Sequence, residues 1–204
     1  MSFEKRSFDL MLSSLLVLVL FPVLLVVLVA LVISEGRPLF YVSERMRSPD
    51  RAFGLIKLRT MPIGADQVGG VTGGDKQREM SRMHRLLRRS RADEIPQLWN
   101  VLRGDMSLVG PRPPLRRYVE DYPDLYNAVL ASRPGITGLA SLMFHAYEER
   151  LLASCNTPQE TDAMYRRRCV PAKARLDIIY AHNRTLCWDL ALILRTAVKP
   201  FQRG

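Results

Sequence analysis

The sequence predicts a mostly helical α+β chain with a few short strands, fixed to a membrane by its N-terminus. Three observations predict this. Residues Leu15 to Ile33 form an unbroken run of 19 apolar residues, counting Pro22, and about 18 suffice to enter a bilayer. Beyond that run, apolar residues recur mainly at the three- and four-residue spacing of helices. Only two stretches, both just after the run, read as strands. The chain therefore divides into an N-terminal anchor, residues 1–36, and a polar part, residues 37–204, with room for one ordinary domain.

The anchor admits more than one course. Lys5 and Arg6 before the run resemble the start of a signal peptide. The run exceeds the usual ~7–15 residues, however, and no small-x-small cleavage site follows. As a single transmembrane helix it would hold the N-terminus in the cytosol and place the basic domain outside. Pro22 offers a hairpin instead: it removes a backbone N–H and clashes with the carbonyl four residues back. A kink there could return the chain to its side of entry, bringing Lys5, Arg6 and Arg37 to one headgroup layer. These residues alone leave span and hairpin open.

After the anchor, Pro38–Arg45 and Ala52–Met61 read as short strands, the second carrying Lys57 and Arg59. Residues 64–75 hold five glycines but match no phosphate-loop spacing, so a surface loop is expected. Glu79–Arg89 suits a basic helix with Met80, Met83, Leu86 and Leu87 on its apolar side. Ile95, Leu98, Trp99 and Leu102 follow the i, i+3, i+4, i+7 pattern of an amphipathic helix ending at Gly104. Tyr118–Ala131 predicts another helix, and Glu148–Leu152 and Pro158–Arg168 predict polar ones. Asp177–Tyr180 and Leu186–Val198 form a terminal pair, the last suited by Trp188 and Leu190–Leu194 to a membrane interface.

Thirty Lys and Arg against 20 Asp and Glu give a net charge of +10 and a pI near 10.0. Such a chain favours polyanionic partners. With an anchor present, membrane surfaces and lipid-linked phosphates come before nucleic acid. Cys155, Cys169 and Cys187, like the three histidines, have the spacing of neither a zinc site nor a disulfide framework, and a reducing environment is the default.

From Lys76 to Arg91 seven Lys and Arg stand against one acid, Glu79, and then Asp93 and Glu94 follow together. One account is structural: Ser90 and Asp93 fit a capping box, acids complement a helix N-terminus, and Pro96 suits a first turn. The other is chemical. Arg88, Arg89, Arg91 and Arg112 could keep Asp93 ionised and neutralise a diphosphate. A carboxylate can accept a phosphoryl group, with Mg²⁺ held by one or two carboxylates and phosphate oxygens. Composition leaves both open.

The longer motifs are more specific. Lys5, Arg6 and Asp9 precede the apolar run, Pro22 lies within it, and Lys57-Leu58-Arg59-Thr60-Met61 follows. Then come LRRSRADEIPQLWN (residues 87–100), GDMSLVGPRP (104–113), RPGITG (133–138) and LDIIY (176–180). In this order, through nearly the whole chain, they resemble the bacterial monotopic phosphoglycosyl transferases, which initiate glycoconjugate and exopolysaccharide synthesis.

The resemblance implies a re-entrant helix-break-helix that enters only the cytoplasmic leaflet of the bacterial inner membrane. It implies transfer of a sugar-1-phosphate from a UDP-sugar to polyprenyl (undecaprenyl) phosphate, releasing UMP. Asp93 would be the nucleophile of a ping-pong reaction through a covalent phosphosugar, with Mg²⁺ beside it. Glu94 would help in proton handling or in orienting the acceptor. Arg88 and Arg112 would grip phosphate, with Pro111 and Pro113 stiffening the loop around Arg112; Lys57 and Arg59 would do likewise, or one of the two would be a solvated surface residue. Asp9 is expected to pair structurally with Arg6, Asp105 to cap a turn, and Asp177 has no assigned role. The stretch 139–149 departs from many members, which leaves the donor sugar open, and the chain has the length of the minimal catalytic unit. A monomer and a homodimer are equally compatible with it. The competing class is a membrane-tethered basic module that binds anionic lipid or nucleic acid without catalysis. The basic run lacks the interleaved aromatics that would stack on bases, so no nucleic-acid partner is expected.

Overall fold

In the computed structural model, residues 2–61 and 81–198 are described. The glycine-rich stretch and the start of the expected basic helix lie outside them. Phe3–Glu35 is one α-helix of 33 residues, α1, about 50 Å long at 1.5 Å per residue. Ser2 caps it by accepting the Lys5 N–H. Gly36 ends it at φ 71°, its N–H donating to the Leu31 carbonyl.

The sequence suggested two limbs either side of Pro22, yet the helix is continuous through that residue. Packing on both sides of the proline accounts for this. Leu12, Leu16, Val17 and Leu20 join one core, around Val101, Val109 and Leu192. Leu24, Val27 and Leu28 join another around Leu31, Leu58 and Leu87. One proline costs about 3 kcal/mol, and contacts along two halves of a helix outweigh that.

The N-terminal charges also differ from expectation. Lys5 is buried, its Nζ 2.6 Å from Asp189 Oδ2 and 3.4 Å from the Tyr180 hydroxyl, so it does not face headgroups. Arg6 donates to the Val101 and Leu102 carbonyls. Asp9, fully buried, accepts from Ser107 Oγ at 2.7 Å and the Leu108 N–H at 3.3 Å. Arg6 and Asp9 are thus both structural but are not each other's partners. They lie on one face of the helix but meet different elements, Arg6 the end of the Gln97–Arg103 helix and Asp9 the Ser107–Val109 strand.

Strands β1 (Phe40–Ser48) and β2 (Arg51–Leu58) form the expected antiparallel hairpin, with Tyr41 opposite Lys57, Arg45 opposite Phe53 and a bulge at Arg47. Helix α2 (Arg82–Ser90) is capped by Ser81. A 3₁₀ turn, Ala92–Glu94, leads to α3 (Gln97–Arg103), which ends at Gly104 with φ 88°. The helix expected at Tyr118–Ala131 is two, α4 (Arg116–Asp121) and α5 (Pro123–Val129), because Pro123 cannot continue one helix but readily starts the next.

The chain closes with α6 (Leu139–Leu152), α7 (Pro158–Met164), a π turn (Tyr165–Cys169), α8 (Val170–Asn183) and α9 (Leu186–Val198). On α9 the exposed apolar residues Leu186, Leu190, Leu194 and Val198 form one stripe, while Asp189 and Leu192 are buried. A core of Met46, Tyr118, Val119, Tyr126, Val129, Tyr165, Val170 and Ala174 joins the hairpin to α4, α5 and α8.

One pairing was not foreseen. Strands β3 (Ser107–Val109) and β4 (Gly135–Thr137) run parallel. Here the backbones approach so closely that only glycine fits. A β-carbon on Gly110 would stand 2.2 Å from the Arg133 carbonyl oxygen, and one on Gly138 would stand 2.1 Å from the Gly110 oxygen.

Candidate active site

Asp93 and Glu94 lie in the 3₁₀ turn between α2 and α3. Arg91 makes this turn possible by taking a left-handed conformation, φ 57°, at the end of α2, its N–H closing on the Arg88 and Leu87 carbonyls. Such a conformation is uncommon without glycine and clusters at functional sites. The capping box does not form. Ser90 is the last residue of α2; its hydroxyl lies against the Leu86 and Leu87 carbonyls and accepts from the Ala92 N–H. Pro96 precedes α3 as its N-cap rather than starting it. The acid pair is therefore turn chemistry, not a helix cap.

The two carboxylates differ. Glu94 is gripped: Arg112 Nη2 donates to its Oε1 at 3.0 Å, and Arg91 Nη1 lies 3.7 Å from Oε2. Burial would raise its pKa, but Arg112 and Arg91 together outweigh that and hold Glu94 below the usual carboxylate range. Asp93 is buried, and among the described residues no hydrogen bond or ion pair engages its carboxylate. Burial and the neighbouring Glu94 push it up to about 6, against the pull of Arg88, Lys57 and Arg112. The unengaged carboxylate of the pair is Asp93.

Cations surround it. Lys57 stands on β2 with its Nζ 5.2 Å over the Tyr41 ring. Burial, together with Arg45, Arg112 and Arg88, brings its pKa down to about 8. Arg88, one turn before Asp93, is aimed by its Nε, which donates to Thr60 Oγ1 at 3.1 Å. Arg45 shares the field of Arg112; burial, then that neighbour, lowers it to about 10. An anion placed among these cations would favour their charged forms.

Backbone holds the cluster in place. The buried Asn100 on α3 accepts the Ile56 N–H at 3.0 Å and donates to the Gly54 carbonyl at 2.8 Å, bonding α3 to β2 beside Lys57. Pro111 and Pro113 are buried while Arg112 between them is exposed. The Pro111 carbonyl takes the Gly135 N–H at 2.9 Å, and the Pro114 carbonyl takes the Met46 N–H at 3.0 Å. Arg112 thus projects from a loop pinned on both sides.

The structure brings together Asp93, Glu94, Lys57, Arg88 and Arg112. Arg59 goes elsewhere: its Nη2 reaches the Glu35 carbonyl at 3.4 Å, at the C-terminus of α1, where a cation complements the helix dipole. Lys57 lies within β2 and Arg59 just past its end at Leu58, so the strand's alternation no longer holds Arg59 on the side of Lys57. Asp105 shapes the turn after α3, its N–H bonded to the Asn100 carbonyl and its carboxylate 3.6 Å from Arg103.

Arg45 was missed by sequence reasoning. Tyr41 faces Lys57 across the ladder, and Arg45, four residues on, falls on the same side of the hairpin. Strand alternation was the signal. Lys173 was missed too; its Nζ lies 3.0 Å from Glu148 and 3.3 Å from the Tyr165 hydroxyl, and no motif marks it.

Among the described residues, no three His, Cys, Asp or Glu side chains converge into a metal cage. One unengaged carboxylate beside a cluster of cations fits Mg²⁺, which takes one or two carboxylates and completes its shell with phosphate and water. Apolar hollows adjoin the site. One is lined by Leu16 and Leu20 of α1 with Ile95, Leu98 and Ile136, and Arg91 and Glu94 border it.

Residues 1–203 match the family described as bacterial sugar transferase. A UDP-glucose:undecaprenyl-phosphate glucose-1-phosphate transferase of Caulobacter vibrioides is 34% identical over 200 residues, covering 95% of this chain and 68% of that protein. An exopolysaccharide production protein, ExoY, of Rhizobium meliloti is 30% identical over 94% of this chain and 83% of its own length. A UDP-N-acetylgalactosamine-undecaprenyl-phosphate N-acetylgalactosaminephosphotransferase of Aeromonas hydrophila is 28% identical over 96% of this chain, which spans 43% of that longer protein.

Proposed function

This chain belongs to the bacterial sugar transferase family, and from that premise we propose that it moves a sugar-1-phosphate from a UDP-sugar to polyprenyl phosphate. The observation that carries the reading is a single one: an unengaged, buried carboxylate, Asp93, stands among Lys57, Arg88 and Arg112, with Arg45 acting on Lys57 and Arg112.

The donor diphosphate enters the cationic cluster, where planar guanidinium groups can each grip two phosphate oxygens. Asp93 attacks the β-phosphorus. As the new P–O bond forms, the bond to the bridging oxygen breaks, and UMP leaves with the electron pair. The sugar phosphate is then an acyl phosphate on Asp93. An oxygen of polyprenyl phosphate attacks the same phosphorus, the bond to Asp93 breaks, and the carboxylate is restored. Transfer of this kind depends chiefly on positioning and charge neutralisation.

Lys57, Arg88 and Arg45 offset the charge that develops on the leaving phosphate. Glu94, ionised between Arg112 and Arg91, orients Arg112 and does not carry a proton. Mg²⁺, held by Asp93 and donor oxygens, would supply further neutralisation of the diphosphate.

The membrane part of the proposal is that α1 enters one leaflet of the inner membrane from its cytoplasmic face. Its exposed side is apolar nearly throughout, with Leu18 74%, Val26 69% and Ile33 81% exposed. The same domain also holds both ends: Lys5 by Asp189, and Leu31 by Leu58 and Leu87. A helix crossing the bilayer would leave its domain behind at one surface. The apolar hollow along α1 then suits the first isoprenoid units of the acceptor.

The test is UMP release from a panel of UDP-sugars by the full chain in detergent, with and without polyprenyl phosphate. Asp93→Asn should abolish release without lowering the thermal unfolding midpoint, since it removes a buried charge. UMP release that survived this change would refute the covalent route. A basic module without catalysis would release no UMP from any donor.

A further inference from the structure

We propose that Arg6, Arg47 and Arg133 form a second phosphate site, apart from Asp93, occupied by the headgroup of an anionic phospholipid lying beside α1. Arg6 and Arg133 converge at the C-terminal end of α3, and the charge of Arg47 acts on Arg133. A β-carbon on Gly104 would stand 3.3 Å from Arg6 Nη2 and 3.6 Å from Arg133 Nη1, so the two guanidinium groups crowd one point. Arg47 is the extra residue of the β1 bulge, between Met46 and Ser48. A bulge re-aims its side chain, and bulges gather beside functional sites.

The cluster lacks a counter-ion. Among the described residues the Arg47 and Arg133 side chains make no hydrogen bond or ion pair. Arg6 uses Nη1 and Nη2 on the Val101 and Leu102 carbonyls, which leaves further N–H groups free to donate. The nearby acids are committed elsewhere: Asp9 to Ser107 and the Leu108 N–H, Asp105 to Arg103 and the Asn100 amide. Burial, then Arg47 and Arg6, depress Arg133, more than Asp9 and Asp105 restore it. A phosphate meets this demand, since it accepts from several guanidinium groups at once.

The site is not the donor pocket. The length of α3, about 10 Å for seven residues, separates Gly104 from the catalytic turn. Its surroundings favour a lipid over free phosphate. Phe3 and Leu10, three residues before and four after Arg6 on the same helix face, are 87% and 37% exposed, ready to meet acyl chain beside a bound headgroup. The lipid source rests on the membrane placement of α1; the phosphate chemistry does not.

The experiment measures the unfolding midpoint of the full chain in neutral detergent, titrated separately with phosphatidylglycerol, phosphatidylcholine and inorganic phosphate. A ligand that binds only the folded chain raises the midpoint in proportion to its affinity. Phosphatidylglycerol should raise it and phosphatidylcholine should not. Arg47→Ser with Arg133→Gln should weaken apparent affinity about 5-fold per arginine. Arg167→Ser with Arg168→Gln removes the same charge from exposed surface and should leave the response intact. If the first double variant does not fold, Arg47→Ser alone should show its 5-fold loss. An equal response to inorganic phosphate, lost in the same variants, keeps the site and reassigns its occupant to free phosphate. No response to either phosphate ligand, or equal loss in both double variants, overturns the proposal. Transfer activity is not the readout, so failure of the catalytic assignment would leave the result standing.

Discussion

Removing Lys5 should unfasten α1, and the structure fixes the size of the effect. Its ammonium lies 2.6 Å from Asp189, with the two side chains 7% and 1% exposed. Lys5→Met would leave a buried carboxylate with one remaining donor, the Tyr180 hydroxyl at 2.6 Å. Breaking one side of such a pair costs about 3–5 kcal/mol. Asp189→Leu should cost a similar amount, because it strands the ammonium beside a single hydroxyl at 3.4 Å. The double variant should recover most of the loss. With both charges gone, Tyr180 still has an acceptor in the Val109 carbonyl at 3.2 Å, and two apolar side chains fill the space. The assay is denaturant unfolding in neutral detergent followed by fluorescence of Trp188, whose ring stands 5.7 Å from that of Tyr180. The expected coupling energy is at least about 2 kcal/mol. Additive single losses, or singles costing under about 1 kcal/mol, would refute the buried pair.

Two further outcomes follow from the site and its flank. Lys57→Ala should lower turnover by about 10²–10³-fold, the usual cost of removing one preorganised charge-stabilising donor. Arg59→Ala should change it by no more than about 3-fold, because Arg59 reaches the end of α1. Equal losses in UMP release would put Arg59 back at the phosphates. Asp177 is buried on α8, and burial raises its pKa to about 7, more than Lys173 and the Ala140 N–H lower it. A carboxyl raised in the folded state makes folding less favourable as pH rises from the unfolded value near 4 to the folded one, and flat above it. The gap is worth on the order of 4 kcal/mol. Wild type should therefore lose stability against Asp177→Asn between pH 4 and 7; parallel unfolding profiles would show that the group is not raised.

Elements with a local cause were legible in the sequence. Gly104 ends α3 because only that residue type takes φ 88° without strain, and the β1–β2 hairpin follows from two strand-like runs around Pro49-Asp50. Of the site, Asp93, Glu94, Arg88 and Arg112 were legible through long motifs. What stayed hidden depends on contacts far apart in the chain. Lys5 meets Asp189 across 184 residues, and a lysine before an apolar run carries the same local signature whether it ends in water or in an ion pair. The capping box failed for a related reason: Arg91 takes a left-handed conformation that no local rule predicts, and the chain turns before Asp93 can reach back to Ser90.

The crossing of β3 and β4 has a consequence for how this site can change. Gly110, Gly135 and Gly138 meet main chain to main chain, so the loop that carries Arg112 is positioned without any side chain as spacer. A spacer can be lengthened or shortened one methylene at a time, but this contact cannot be graded. Variation at this site must therefore arise in the side chains around Arg112, such as Glu148, Lys173 and Tyr165, while the floor admits one geometry or none.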